Sequence, residues 1–95
     1  MKATFHRLAE AELIAAARNL DAEAKLGNAF LDEYEAWELQ IRRFPHCCPE
    51  IAPGIRCGYL KRFKHHITYR VLPGAVRILY VRHARRAPLK NFGRT

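Results

Sequence analysis

The sequence predicts an α+β fold: an N-terminal strand, an antiparallel two-helix hairpin, and a three-stranded antiparallel meander packed against the helices. Three observations carry this expectation. Two segments, from about Arg7 and from Leu26, repeat apolar residues at spacings of three and four, the period of a helix with one buried stripe. Only Lys25-Leu26-Gly27-Asn28 separates them, so the two helices must turn back on each other. From Ile55 onward the period changes to two, and turn residues punctuate the chain.

Each element follows from its residues. Lys2 to Phe5 reads as a short first strand through Thr4 and Phe5. In the first helix Ala9, Leu13, Ala16 and Leu20 form the buried stripe, Ala17 and Ala24 widen it, and Glu10, Glu12, Asp21 and Glu23 face solvent. Gly27 suits a left-handed helix end and Asn28 the cap of the next helix. The second helix steps through Leu26, Phe30, Tyr34, Trp37, Ile41 and Phe44 and stops at Pro45. Aromatic residues at helical spacing are assigned to packing. His46 to Gly54, with Pro49, Pro53 and Gly54, reads as a loop.

Ile55 to Leu60 is the next strand, where Gly58 marks a bulge or the close approach of another backbone. In the following strand Ile67, Tyr69 and Val71 share the core face, leaving His66, Thr68 and Arg70 on the other. Leu72-Pro73-Gly74-Ala75 suits a turn with Pro second and Gly third. Ala75 to Val81 is almost continuously apolar, as expected of a central strand covered on both faces. It runs into the cationic Arg82-His83-Ala84-Arg85-Arg86.

Length and composition bound the function. Ninety-five residues suffice for a single domain, residues 1–95, with one modest core. No 18-residue apolar run and no signal-peptide core are present, so a cytoplasmic protein without membrane association is expected. The odd number of cysteines, Cys47, Cys48 and Cys57, points to reduced thiols. Charge is split along the chain: residues 1–50 hold all nine acids against six Lys or Arg, a net −3. Residues 51–95 hold eleven Lys or Arg and no acid. An uncompensated field of that kind points to a nucleic acid or an acidic protein as partner.

The phrases Ala9-Glu10-Ala11-Glu12-Leu13, Leu26-Gly27-Asn28-Ala29-Phe30, Arg62-Phe63, Ile67-Thr68-Tyr69-Arg70-Val71 and Val81-Arg82-His83-Ala84-Arg85-Arg86-Ala87-Pro88, in this order, resemble the ParE/RelE superfamily of bacterial toxins. The likeness is closest to the ParE-like, plasmid-stabilisation branch and rests most on His83, Arg86 and Pro88. It implies the toxin of a type II toxin-antitoxin system, bound in a hetero-oligomer by a cognate acidic antitoxin. ParE-like members act on DNA gyrase and block replication, the reading preferred here. RelE-like members cut messenger RNA on the ribosome.

For ribonuclease chemistry an acid, a base and phosphate-binding cations are needed. The resemblance offers His66, where RelE-like toxins carry an arginine, and His83 as the acid–base pair, with Arg70 and Arg86 as clamps. Lys61, Arg62, Lys64, Arg82, Arg85 and Arg94 are expected to contact the target. Arg86 has a structural alternative, pairing with Glu33 or Glu38. In the tail, Phe92 stands one place later than the Trp of the ParE-like ending and is followed by Arg94. Phe92 also fits a hydrophobic plug over the sheet edge.

Two further constellations bear on function. A basic surface interleaved with Tyr59, Phe63 and Tyr80 fits a non-catalytic nucleic-acid-binding module or a degenerate toxin. His46, Cys47, Cys48, Cys57, His65 and His66 contain metal-binding residue types, but adjacent cysteines chelate poorly and no C-x-x-C spacing occurs. No metal or cofactor is expected.

Overall fold

In the computed structural model, which describes residues 1–95, the chain runs β1 (Lys2–Phe5), α1 (Arg7–Ala24), α2 (Gly27–Arg43), β2 (Glu50–Ala52), β3 (Ile55–Leu60), β4 (His65–Leu72) and β5 (Ala75–His83). The expected meander is β3-β4-β5, but the sheet has five strands in the order β1-β5-β4-β3-β2 and is mixed. Strand β1 lies parallel to β5, with Lys2 opposite Ala75 and Phe5 opposite Ile78. Strand β2 falls within the segment expected to be a loop. Its three residues are too few to display a period, and only pairing with β3 makes them a strand.

His6 starts α1 by accepting the Leu8 N–H on its ring Nδ1 at 3.1 Å. The helix ends at Lys25, which takes the left-handed conformation expected of Gly27. Gly27 is instead the first residue of α2. A Cβ there would sit 2.7 Å from the Ala17 carbonyl oxygen, so glycine is required by the close crossing of the hairpin.

The helices cover one face of the sheet. Ala9, Leu13 and Ala17 of α1 and Phe30, Tyr34 and Ile41 of α2 bury against Leu60, Ile67, Tyr69, Val76, Ile78 and Val81. Most of the predicted stripes are thus core. Ala24 and Phe44 are exposed, because each lies at or beyond the end of its helix, and Phe44 carries the Arg43 guanidinium 5.5 Å over its ring. Trp37 packs on the Tyr69 ring and lies directly over Gly58, where any Cβ would strike the indole. Gly58 thus marks neither of the expected features, a bulge or another backbone, but the close approach of a side chain.

Strand β5 is covered on both faces because its alternation breaks. Thr68 pairs with Tyr80 but Tyr69 with Ile78, so Leu79 is an extra residue that bulges the strand. Val76, Ile78 and Val81 face the helices, while Leu79 and Tyr80 face away and bury with Ile55. Leu89 and Phe92 of the C-terminal segment close over that second cluster. The Phe92 ring stands edge-on to Tyr80, centroids 6.1 Å apart, so it plugs the outer face of the sheet. No helix is long and apolar enough to cross a membrane.

Candidate functional site

One end of the sheet gathers most of the cations singled out in the sequence. The β3–β4 turn brings Lys61, Arg62 and Lys64 there, and Lys64 accepts the Ala84 N–H on its carbonyl at 2.7 Å, tying the turn to the chain leaving β5. Lys64 holds a left-handed conformation in this turn, φ +57°. Arg62 lays its guanidinium over Phe63 at 5.0 Å, and its N–H donates to Glu33 Oε2. Arg85 and Arg86 follow on the other side, both exposed. Their backbone is fixed at both positions, since Arg85 N–H donates to His83 Nδ1 at 3.0 Å and Arg86 N–H to the His83 carbonyl at 3.1 Å. Neither Glu33 nor Glu38 pairs with Arg86: Glu38 accepts the Tyr34 hydroxyl, and the ion pairs of the chain are Arg56–Glu50 and Arg94–Glu12.

The two histidines expected to cooperate both line one cleft at this end of the sheet, but they belong to opposite-facing positions of the β4–β5 ladder. His66 is opposite Arg82 on the outer face, away from the helices, and its ring lies 4.9 Å from that of Tyr59. His83 is opposite His65 and stacks edge-on against it at 5.0 Å, on the helix side. Because His83 Nδ1 accepts a backbone N–H, its neutral ring carries the proton on Nε2 and keeps no free lone pair to act as a base. No hydrogen bond joins His66 to His83, and His83 meets the shared cleft with its Nδ1 already engaged.

Arg70 and Arg94 also lie apart from the cationic end. Arg70 is paired across the strands with Arg77, toward the opposite end of β4. It reaches under Gly54, with its Nε buried and without a partner. Arg94 is consumed inside the molecule. Its guanidinium grips both Glu12 oxygens, at 2.6 and 3.1 Å, donates to the Leu79 carbonyl at 3.0 Å, and lies 4.1 Å over the Tyr80 ring. Glu12, expected to face solvent, also accepts the Val81 N–H. The reason is geometric: β1 pairs with β5 only as far as Ile78, so the next backbone groups on that edge need other partners. Glu12 and Arg94 supply them.

Between the outer face and the C-terminal segment lies a cleft of about 280 Å³. Cys57, His66 and Thr68 form its floor, Arg82, His83 and Arg86 its rim, and Ile51, Leu89 and Phe92 its apolar walls. No acidic residue lines it. Arg82 holds one wall by donating from Nη2 to the Ala87 carbonyl at 2.8 Å. The sequence presents Cys57 only among metal-binding residue types, and its contact with His66 is not anticipated there. The period-two pattern puts Cys57 and Tyr59 on one face of β3, but the register with β4 that brings in His66 is a tertiary fact. On the helix side, His65 is buried against Phe30, and burial holds its ring below the ordinary histidine range. All three cysteines are free thiols, and no three His, Cys, Asp or Glu side chains converge as a metal site would require.

No protein-family model matches the chain, and no curated protein matches it. Among solved structures, it is similar to a chain of "Chromosomal ParDE TA system from P. aeruginosa" at 20% identity, with a TM-score of 0.63. The similarity covers 87% of this chain and 95% of that one. A correspondence of that extent shows that the two chains share a fold, and the α+β architecture is the one implied by the sequence resemblance.

Proposed function

We propose that a chain with this fold is the toxin of a type II toxin-antitoxin pair, ParE-like, that inhibits DNA gyrase in the cytoplasm and is held inactive by an acidic antitoxin. The observation that carries the reading is the near full-length structural correspondence with a chain of a ParDE system. The concentration of Lys61, Arg62, Lys64, Arg82, Arg85 and Arg86 at one end of the sheet supports it, because a rigid edge with uncompensated cations fits an acidic partner. Arginine after a buried strand also offers a preorganised, bidentate donor to carboxylate or phosphate.

A RelE-like, ribosome-dependent ribonuclease is the second reading, favoured by the acid-free cleft that places His66 near Arg82 and Arg86. Against it stand the engagement of His83 Nδ1 by the Arg85 N–H and the remoteness of Arg70. Expression of the chain alone in a bacterial host is expected to arrest growth, with relief by a co-expressed acidic antitoxin from the adjacent gene. Normal growth with confirmed folded protein would favour a binding module or a degenerate toxin.

A further inference from the structure

Cys57 and His66 are diagonal neighbours on the outer face of β3 and β4, because Cys57 pairs with Thr68 and His66 with Tyr59. The Cys57 Sγ lies 3.7 Å from His66 Nδ1, and the same thiol points 3.5 Å from the Gly58 carbonyl. The sulfur thus lies between a carbonyl acceptor and a ring nitrogen that accepts when the His66 proton is on Nε2, at the floor of a cleft that is open to solvent. The cleft is selective in its composition. Its charged residues, Arg82 and Arg86, are cations, and its walls are apolar.

We propose that Cys57 is a thiol-modification site, served by His66, for small disulfides that carry an anionic group on an apolar body. The chemistry balances without a further reactant. His66 Nδ1 takes the thiol proton as Cys57 Sγ attacks one sulfur of the reagent disulfide. The reagent S–S bond breaks, and its departing half leaves with the electron pair and takes the proton from His66. Cys57 sulfur is oxidised to a mixed disulfide, and the departing half is reduced to a thiol. Arg82 and Arg86 hold the anionic group of the half that remains.

Burial pushes the Cys57 thiol up from its ordinary range, so at neutral pH it is protonated and depends on an adjacent acceptor to react. That is the role assigned to His66. Cys47 provides the contrast within the same chain. It is exposed on the loop after α2 and lies outside the cleft, so a reagent meets it without selection by Arg82 and Arg86.

The test is site-resolved mass spectrometry of the folded, full-length chain treated briefly with Ellman's reagent, an aromatic carboxylate disulfide, or with cystamine, a cationic one. Relative to Cys47 in the same molecules, Cys57 should prefer the anionic reagent by at least ~10-fold, the lower range of electrostatic focusing in a cleft. Arg86→Gln should reduce that preference. His66→Asn should slow Cys57 by at least ~10-fold and leave Cys47 unchanged, as expected when a positioned base is lost. The proposal is overturned if Cys57 stays unmodified until denaturant is added, or if its reagent preference equals that of Cys47. Because the wild-type comparison decides the charge selection, it does not depend on either variant folding.

Discussion

The two faces of the sheet are covered in different ways. On the helix face, amphipathic helices bury a continuous cluster that includes Phe30, Tyr34, Ile41, Ile67 and Tyr69, and stability there comes from apolar area. On the outer face, a segment without regular structure covers only Ile55, Leu79 and Tyr80, and it is fastened at a few points. Those include the Glu12–Arg94 pair, the Arg94–Tyr80 stack, the Arg94–Leu79 bond, the Arg82–Ala87 bond and the Arg77–Thr95 bond. The difference teaches where each kind of interaction is used. Area specifies the fold, whereas directional contacts position a covering segment over a cleft.

The largest effect should come from the helix face. Phe30 is fully buried, with its ring 5.6 Å from Phe63 and 4.9 Å from His65, so Phe30→Ala should cost about 3–5 kcal/mol and approach global unfolding. Denaturant melting measures it. Arg94→Ala should behave otherwise. It strands a partly buried Glu12 carboxylate and leaves the Leu79 carbonyl unpaired, a loss of about 2–3 kcal/mol when one partner of such a network is removed. Amide exchange should then rise in residues 84–95 and at the β5 edge more than in the helices. Uniform exposure of both faces would show that the two coverings are one cooperative unit.

Gly58→Ala probes the helix face from within the sheet. A Cβ would lie 2.7 Å from Trp37 Cε2 as well as against the indole nitrogen, so overpacking should cost about 1–3 kcal/mol, visible as a lower melting temperature and altered Trp fluorescence. Acid should weaken the same face. His65 is held below its ordinary pKa of 6.5, chiefly by burial, so the unfolded chain binds a proton more readily than the folded one. Its contribution to stability is complete above pH 6.5 and is lost as pH falls through the folded value. Melting temperature should therefore decline on acidification, and less steeply in His65→Gln.

The helix face was also the part most legible in sequence, because its signal is local. Phe30, Tyr34 and Ile41 recur at helical spacing whatever lies opposite them, and Ile67, Tyr69 and Val71 alternate within five residues. The outer face depends on partners far apart in the chain. Glu12 and Arg94 are 82 residues apart, and nothing near Glu12 distinguishes it from the solvent-facing Glu10. The Leu79 bulge, strand β2 and the Cys57–His66 contact likewise arise from strand register rather than from local pattern. Among site candidates, the cations from Lys61 to Lys64 and from Arg82 to Arg86 converge because two chain turns meet at one sheet end. His66 and His83 line the same cleft there, although pairing assigns them to opposite-facing positions of the ladder.

The smallest stability effect, and the largest functional one, is expected at Arg86. Its side chain is exposed and makes no ion pair, so Arg86→Ala should change stability by no more than about 0.5 kcal/mol. If the cationic end serves the target, the same change should abolish growth arrest, and Arg86→Lys should rescue poorly because a point charge lacks the planar fork.

The most direct measurement is a purified DNA gyrase reaction containing the folded chain, run beside a translation reaction on a defined message. The proposed function predicts that cleaved DNA is trapped in the gyrase reaction, that Arg86→Ala loses this effect, and that the message stays intact. Codon-phased cuts in the translated message, with gyrase unaffected, would contradict it.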